Sequence, residues 1–317
     1  MAKILVTGAA GFIGSHTTDY LLGEGHGVVG VDNFRTGRKE NLRAALRSPK
    51  FVLHERDVAE PGALATLVAA EKPDAIIHLA ALVSVQESIA NPELNFSLNV
   101  QATQLVAEAA RLHGVDRVVF ASSAAIYGDG AQPPIRESAE KCPVSPYGAA
   151  KLASEALLLG HGAAYGFTVR CQRYFNVFGP RQDPSSPYSG VISIFAKYYR
   201  EGEAVTIFGD GRQTRDFIAV KDVARANALA ATRPGLSSGV ANICTGQATS
   251  LLELAAIFST QHPGAPAPLY RATRSGDIVH SLGDPTTATA ALGFTARMGV
   301  AEGLAELING PAVPALS

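Results

Sequence analysis

The stretch VTGAAGFIGSH, residues 6–16, decides how this chain begins to fold. Gly8, Gly11 and Gly14 stand between a β-branched run, KILVTG, and an apolar helical pattern that starts near residue 12. The chain must turn tightly here, expose bare backbone and begin a helix. Because the N–H groups of a helix N-terminus attract negative charge, this geometry suits a pyrophosphate. The stretch therefore predicts a strand–turn–helix unit that binds a dinucleotide.

Short β-branched runs alternate with Ala- and Leu-rich stretches over residues 1–175. Six of the runs are almost continuously apolar, as in strands buried on both faces of a parallel sheet. They are KILVTG, GVVGVD, FVLHERD, DAIIHLA, DRVVFASS and FTVRCQRYFN. Helical patterns occupy 12–24, 39–47, 61–71, 88–112 and 145–165. This alternation predicts an α/β fold with a Rossmann-type, doubly wound parallel sheet.

The regular alternation stops after residue 175, where clusters of Pro and Gly interrupt the chain. We expect residues 1–175 to form the dinucleotide-binding domain and residues 176–317 to form a smaller C-terminal substrate-binding lobe. We also expect a segment near 213–232 to pack back onto the first domain. Ligands of such folds bind at the carboxyl edge of the sheet, which places the lobe there.

Composition narrows the classes of partner. The chain has 27 basic and 28 acidic residues, a balance that gives no general attraction to nucleic acid or to an anionic membrane. Cys142, Cys171 and Cys244 are far apart, which argues against a disulfide framework or a zinc site and fits a reducing cytosol. The sequence shows no convincing signal peptide and no apolar run of membrane-spanning length. We expect a cytoplasmic protein without a bound metal.

Asp32 ends the second predicted strand, where a carboxylate can accept hydrogen bonds from an adenosine ribose. A carboxylate at that point repels a 2′-phosphate and so favours NAD over NADP. Arg35 and Arg38 follow closely and weaken this preference, unless they are solvated loop charges. The sequence predicts NAD as the cofactor.

The glycine spacing, GxxGxxG, and motifs along the whole chain resemble an extended short-chain dehydrogenase/reductase of the NAD-dependent epimerase/dehydratase family. Among its members, the chain is most similar to the UDP-hexose 4-epimerases. The other motifs are DNF at 32–34, DV at 57–58, HLAA at 78–81, Asn99, SSAAIYG at 122–128, PYGAAK at 146–151, RYFNVFGP at 173–180, GDGRQTRDFIAVKD at 209–222 and RSGDIVHS at 274–281.

The segment SPYGAAK, residues 145–151, places Tyr147 one helical turn before Lys151, so that both can face one ligand. The resemblance implies that Ser123, Tyr147 and Lys151 are the catalytic residues. Tyr147 would act as the base, its pKa lowered by the Lys151 ammonium and a positive nicotinamide. Lys151 would also bind the nicotinamide ribose, and Ser123 would hold the reacting hydroxyl.

The resemblance also implies a set of cofactor contacts along the carboxyl edge of the sheet. They are Gly8, Gly11, Phe12, Ile13, Gly14, Asp32, Asn33, Phe34, Thr36, Gly37, Asp57, Val58, Leu79, Ala80, Ala81, Asn99, Ser122, Tyr147, Lys151 and Tyr174.

The reaction that the resemblance implies is the interconversion of UDP-glucose and UDP-galactose through a 4-keto intermediate, with NAD tightly bound. Related dehydratases carry an Asp-Glu pair directly after the catalytic Ser or Thr, whereas this chain has Ala124 and Ala125. Two alternatives remain open: an NAD(P)-dependent 4-ketosugar-nucleotide reductase, and a non-catalytic protein that senses dinucleotides on the same fold.

The resemblance assigns the sugar nucleotide to the second lobe. Arg215 and Arg274 would bind the diphosphate, and Asn176 would bind the sugar or the diphosphate. Asp277 would bind the uridine ribose, and Phe208 would pack on the uracil. The rest of the predicted substrate site consists of Val83, Ser84, Ser123, Tyr147, Gly190, Val191 and Ser281. The small residues Ser281 and Gly190 leave room for an N-acetyl group, as in members that accept UDP-N-acetylglucosamine. Val83 argues the other way, since some of those members have glycine there.

Two helical segments, 88–112 and 145–165, carry small and apolar faces. The resemblance implies a homodimer in which these helices pair with their copies in a second subunit. The alternative is that the same faces belong to the core of one chain.

Overall fold

The computed structural model describes residues 1–183, 190–273 and 279–309, so the predicted substrate residues Arg274 and Asp277 lie outside the described residues. The strands are β1 (Lys3–Thr7), β2 (Gly27–Asp32), β3 (Phe51–Glu55), β4 (Ala75–His78), β5 (Arg117–Ser123), β6 (Thr168–Tyr174), β7 (Asn176–Phe178), β8 (Thr206–Phe208), β9 (Thr214–Arg215), β10 (Phe217–Ala219), β11 (Gly239–Ile243), β12 (Thr249–Ser250), β13 (Leu269–Arg271) and β14 (His280–Ser281).

The helices lie between these strands, with bounds close to the predicted ones in the first half. They are α1 (Phe12–Gly23), α2 (Ala63–Glu71), α3 (Val85–Ala90), α4 (Pro92–Asn95), α5 (Ala102–His113), α6 (Pro146–Tyr165), α7 (Val191–Glu201), α8 (Val220–Thr232), α9 (Leu251–Gln261), α10 (Thr286–Leu292) and α11 (Val300–Asn309). None of the helices in the described ranges is long and apolar enough to cross a bilayer.

Two of the predicted helices are wrong in detail. The segment 39–47 forms two short 3₁₀ turns, Lys39–Leu42 and Ala45–Arg47. Three residues per turn bring Leu42 and Ala45 to the same side, and both are buried. The predicted helix over 88–112 is interrupted at Pro92, which has no N–H to continue α3.

A seven-stranded parallel sheet is the centre of the fold, with the order β3–β2–β1–β4–β5–β6–β11. The order of strand addition reverses at β1: β2 and β3 lie on one side of it, and β4 and the later strands lie on the other. The crossover helices therefore cover both faces of the sheet. The predicted Rossmann-type α/β fold is confirmed. Six strands coincide with the predicted apolar runs, and β11 is a seventh that the sequence did not reveal. It follows a Pro- and Gly-rich stretch and pairs with β6 along its whole length.

Both faces of the sheet are buried because its strands send alternate side chains to opposite sides. On β1, Ile4 and Val6 join one apolar cluster, whereas Leu5 joins the other. The first cluster lies under α1 and α8, which pack against each other. The second lies under α2, α5 and α6. The helix α8 thus adds a layer to the sheet although it comes from the second part of the chain.

A third apolar cluster belongs to the second part of the chain. It joins α7, α9 and α11 around Phe195, Phe258 and Leu304, each of which is buried. Three small sheets accompany it, of which the largest has the order β12–β9–β14. The helix α9 of this cluster contacts β12, and the same sheet carries Arg215 on β9 and Ser281 on β14.

The turn between β1 and α1 depends on a close backbone approach. Gly8 has a φ of 70°, and its carbonyl oxygen would lie only 1.9 Å from a Cβ atom at Gly14. No real Cβ tolerates that distance, so α1 can begin this close to β1 only because residue 14 is glycine.

Substitution of Gly14 by Ala should therefore destabilise the chain. Since the clash is with backbone, α1 must move, and we expect a loss of about 1–3 kcal/mol in the free energy of unfolding, measured by urea titration. Gly23→Ala in the same helix is the matched control, because its Cβ would meet no atom within 4 Å. Equal stability of the two variants would contradict the assigned role of Gly14.

Candidate active site

The β1–α1 turn is built to receive an anion. Its glycines are held by hydrogen bonds from Gly8 N to Val31 O (2.8 Å) and from Gly11 N to Gly8 O (3.1 Å). Gly11 is the N-cap residue of α1 and offers no side chain to cap the helix. The first-turn N–H groups, including those of Phe12 and Ile13, therefore suit a bound phosphate group. This is the first of three features that fit NAD.

Asp32 provides the second feature. It lies at the carboxyl end of β2, where its two carboxylate oxygens accept hydrogen bonds from Ala10 N and Phe34 N, both at 2.8 Å. Burial raises the pKa of this carboxyl group, and the two N–H donors oppose that rise. Each oxygen keeps a further lone pair, so Asp32 can also accept from ribose hydroxyls. Gly37 is required beside it, because a Cβ there would lie 2.7 Å from the carboxylate.

The two arginines that weaken the prediction of NAD are both engaged with carboxylates. Arg35 contacts Glu87 at 2.5 Å, and Arg38 contacts Asp183 at 2.7 Å. These pairs balance the positive charges that would otherwise attract a 2′-phosphate. The sequence could not reveal them, because Glu87 and Asp183 are distant along the chain.

The other residues that are predicted to contact the cofactor near Asp32 follow the ends of β2 and β3. Asn33 donates to Asp57 at 2.9 Å, which links the ends of these two strands. Phe34 has a φ of 57°, and Val58 is buried. Thr36 is exposed in the same loop.

The loop after β4 carries Leu79, Ala80 and Ala81, and buried side chains hold it from below. The N–H groups of Leu79 and Ala80 donate to Thr7 Oγ1, each at 3.2 Å. That hydroxyl lies 2.8 Å from His78 Nδ1. Burial lowers the pKa of His78 to about 3, so the ring is neutral and serves as a structural link.

Asn99 and Ser84 also support this loop. The Asn99 side chain accepts from Leu82 N and donates to Leu82 O, both at 3.0 Å. Ser84 caps α3 by accepting from Glu87 N at 2.9 Å. The Asn99 amide and the Ser84 hydroxyl are thus both hydrogen-bonded to backbone groups. A contact of either side chain with a ligand stays a prediction.

Ser123, Tyr147 and Lys151 come together where β5 meets α6. Ser123 is the last residue of β5, and its hydroxyl accepts from Ala125 N at 3.2 Å. Ser145 caps α6 by accepting from Gly148 N at 3.1 Å. Gly148 lets the helix approach the end of β5, since a Cβ there would lie 2.7 Å from Ala125 O.

Lys151 provides the third feature that fits NAD. Its ammonium is buried, donates to Ala121 O at 2.8 Å and lies 5.8 Å from the centre of the Tyr147 ring. Desolvation lowers the pKa of Lys151 to about 7, and the charge of Glu155 opposes this. An ammonium has three donors, so Lys151 can also bind the hydroxyls of a nicotinamide ribose.

The expected lowering of the Tyr147 pKa is not found in the protein alone. Burial raises the pKa of the phenol, and the nearby Ser123 hydroxyl only opposes that rise. The Lys151 charge is itself disfavoured by desolvation and does not reverse the effect. A phenolate at Tyr147 therefore requires the additional positive charge of a bound nicotinamide.

One buried ion pair that involves α6 was not predicted from the sequence. Glu155, one turn after Lys151, accepts from Arg173 Nε at 2.9 Å and from Arg173 Nη2 at 2.7 Å. Both side chains are buried, and the pair fixes α6 to β6. The sequence signal that could have indicated a charge pair here is the spacing of Glu155, four residues after Lys151 on the same helix.

The other predicted cofactor residues at this end are Ser122 and Tyr174. Ser122 is buried, and its hydroxyl has no hydrogen-bond partner among the described residues. The Tyr174 phenol donates to Asn227 at 2.6 Å, and its burial raises the pKa. Tyr174 also pairs with Ser123 across β6 and β5.

Three predicted substrate residues meet in the second part of the chain. Arg215 and Ser281 are register partners on β9 and β14, and Asn176 donates to Asp216 O beside them. Phe208 ends β8, Gly190 precedes Val191 at the start of α7, and Val83 is 65% exposed.

Comparisons with known proteins show the family of the chain. The model of the NAD dependent epimerase/dehydratase family matches residues 4–244. A UDP-glucose 4-epimerase of Mycolicibacterium smegmatis is 40% identical, with 97% of each chain covered. The UDP-glucose 4-epimerase of Thermotoga maritima, solved with UDP-glucose, has a TM-score of 0.90 and 36% identity, with 96% of this chain and 97% of that chain covered. A UDP-N-acetylglucosamine 4-epimerase of Methanobrevibacter ruminantium has a TM-score of 0.91 and 35% identity, with 97% of each covered.

The lowered pKa of Lys151 predicts how the stability of the cofactor-free protein changes with pH. Folded Lys151 loses its proton near pH 7, whereas the unfolded chain keeps it to about pH 10.4. The unfolded state therefore binds more protons between these values, and the free energy of unfolding rises with pH.

We expect the wild type to gain stability relative to Lys151→Met by up to about 1.4 kcal/mol per pH unit above pH 7. Urea unfolding of both cofactor-free proteins at pH 7, 8 and 9 measures this difference. A constant difference across the series would show that Lys151 titrates normally.

Proposed function

Because the chain belongs to the NAD-dependent epimerase/dehydratase family, we propose that it interconverts UDP-glucose and UDP-galactose by inverting C4 of the sugar. The observation that carries the proposal is the buried ammonium of Lys151, which lies 5.8 Å from the centre of the Tyr147 ring and donates to Ala121 O on the strand that ends at Ser123. This group lies at the carboxyl edge of the same sheet as the glycine turn and Asp32.

The proposed mechanism assigns one proton and one hydroxyl to these residues. Tyr147, as phenolate, takes the proton of the sugar 4-hydroxyl, and Ser123 holds that hydroxyl by a hydrogen bond. Lys151 binds the ribose beside the nicotinamide, and its charge favours the phenolate. NAD, when bound beside these residues, would supply the acceptor for the C4 hydride and the donor that restores it. Tyr147 then gives its proton back to the oxygen of the 4-keto sugar.

The diphosphate and nucleoside are assigned to the second part of the chain. Arg215 suits a diphosphate because its planar guanidinium can donate two parallel hydrogen bonds. Asn176 lies near Arg215, because its side chain donates to the carbonyl oxygen of Asp216, the next residue in the chain. Phe208 is assigned to the uracil, and Arg274 and Asp277 remain assigned by resemblance.

The breadth of the sugar pocket is a separate proposal. Ser281 is a small residue, 9% exposed, in register with Arg215, and Gly190 adds no side chain at the start of α7. Both leave space next to the sugar. We therefore propose that UDP-N-acetylglucosamine is accepted as a second substrate, although Val83 reduces that space.

We propose a homodimer formed through α5 and α6. On α6, Ala149, Ala153, Ala156 and Gly160 are exposed and recur at helical spacing on one face. Leu112 and Tyr165 at the ends of the two helices are each 55% exposed. Analytical ultracentrifugation should find twice the mass of one chain, and a monomer at micromolar concentration would contradict the proposal.

Tyr147→Phe removes the proposed base and keeps the ring. We expect turnover of UDP-glucose to fall by about 10²- to 10⁴-fold, while NAD remains bound. Proton NMR of the anomeric signals, with NAD supplied, measures the galacto-configured product from UDP-glucose and, separately, from UDP-N-acetylglucosamine. Tyr20→Phe, near the C-terminal end of α1, is the matched control and should keep full activity.

The outcomes separate the proposals. Near wild-type activity in Tyr147→Phe would contradict the assigned base. Product from UDP-glucose alone would contradict only the broader pocket. If the wild type forms no product from either sugar, the epimerase proposal is wrong, and a 4-ketosugar reductase or a dinucleotide-sensing protein takes its place.

A further inference from the structure

Asp216 is a buried carboxylate that the proposed mechanism does not use. It lies between β9 and β10, next to Arg215, and is 0% exposed. One carboxylate oxygen accepts from Thr245 N at 2.8 Å and from Thr245 Oγ1 at 2.6 Å. The other accepts from Gly246 N at 2.9 Å and from Gly283 N at 3.3 Å. Its side chain therefore joins the end of β11 to the segment that follows β14.

The backbone of the same residue holds two predicted substrate residues. Asp216 N donates to Ser281 O at 2.8 Å, and Asp216 O accepts from Asn176 N at 3.0 Å and Asn176 Nδ2 at 3.2 Å. With Arg215 as its chain neighbour, Asp216 is bonded to each of the three residues that the proposed function places on the substrate.

Residue 216 must provide an acceptor for two reasons. The buried donors around it need a partner, and the close packing leaves no room for another one. Burial raises the pKa of Asp216, and the donors of Thr245, Gly246 and Gly283 oppose that rise. Without the carboxylate these buried N–H groups would lose their partners. Gly283 is packed so closely that a Cβ there would lie 2.6 Å from Cys244 Sγ, so the segment cannot shift to find others.

We propose that Asp216 is a positioning residue that fixes Asn176, Arg215 and Ser281 relative to one another and so sets the affinity for the sugar nucleotide. The inference rests on the proposed function, which assigns those three residues to the substrate. None of the four donors to its carboxylate belongs to a residue assigned to the cofactor, so cofactor binding should be independent of Asp216.

Asp216→Asn tests this role with an almost isosteric side chain. The amide places an NH₂ group against N–H donors, which breaks the contact with either Thr245 or the two glycines. We expect the KM for UDP-glucose to rise by about 10- to 100-fold, while kcat changes less than about 3-fold and bound NAD is unchanged. Thr245→Val removes one hydroxyl donor and should raise the KM by a smaller factor, about 3- to 10-fold.

Asp222→Asn is the matched control. Asp222 is equally a buried carboxylate, on α8, and accepts from Arg297 N and Met298 N, both at 2.9 Å. Those contacts hold a segment without predicted substrate residues. Its replacement should lower the melting temperature and leave the KM unchanged.

Unchanged KM in both Asp216→Asn and Thr245→Val would overturn the proposal, as would an equal rise in Asp222→Asn. If Asp216→Asn does not fold, Thr245→Val decides. If the wild type does not turn over UDP-glucose, the proposed function fails, and calorimetric titration with UDP tests the positioning role separately. A weaker Kd for UDP in Asp216→Asn and not in Asp222→Asn would then support it, and equal Kd values would refute it.

Discussion

The contact between the Gly8 carbonyl and Gly14 is the constraint on which the cofactor side depends. It brings the N-terminus of α1 against the end of β1, which lies between β2 and β4 in the sheet. The hydrogen bond from Gly8 N to Val31 O then ties the turn to the strand that ends in Asp32. The helix end predicted to bind phosphate and the carboxylate predicted to bind ribose are thus placed by this turn, whose close backbone approach only glycine permits.

The helix α6, which carries the proposed base, is held by polar contacts near its start and again two turns later. Ser88 accepts from Tyr147 N at 3.1 Å near the start, and Glu155 meets Arg173 two turns later. Lys151 lies between them with its ammonium desolvated. A buried charge of this kind is costly unless it is paired, and here Glu155 is already shared with Arg173. The Lys151 side chain donates to Ala121 O and keeps further donors for a ligand hydroxyl.

Local patterns predicted those parts of the molecule that are built from neighbouring residues. The apolar runs revealed six strands, and the glycine turn with Asp32 indicated the cofactor side. The strand β11 escaped because five residues after a Gly-rich stretch become a strand only beside β6. The pairs Arg35–Glu87 and Arg173–Glu155 and the role of Asp216 escaped for the same reason. Each depends on partners that tertiary structure brings together, and no periodicity marks them.

A short segment of the chain joins the end of β6, beside Ser123, to the hydrogen bonds of Asp216. Arg173 anchors α6, Tyr174 pairs with Ser123, and Asn176 donates to Asp216. Two residues span at most about 7 Å, so the distance from the strand position beside Ser123 to the Asp216 cluster is limited covalently. The proposed base and the proposed diphosphate site therefore cannot separate without breaking either the parallel pairing of β5 and β6 or the hydrogen bonds of Asp216. A sugar bound by its nucleotide would be presented to Tyr147 at a distance that the backbone sets.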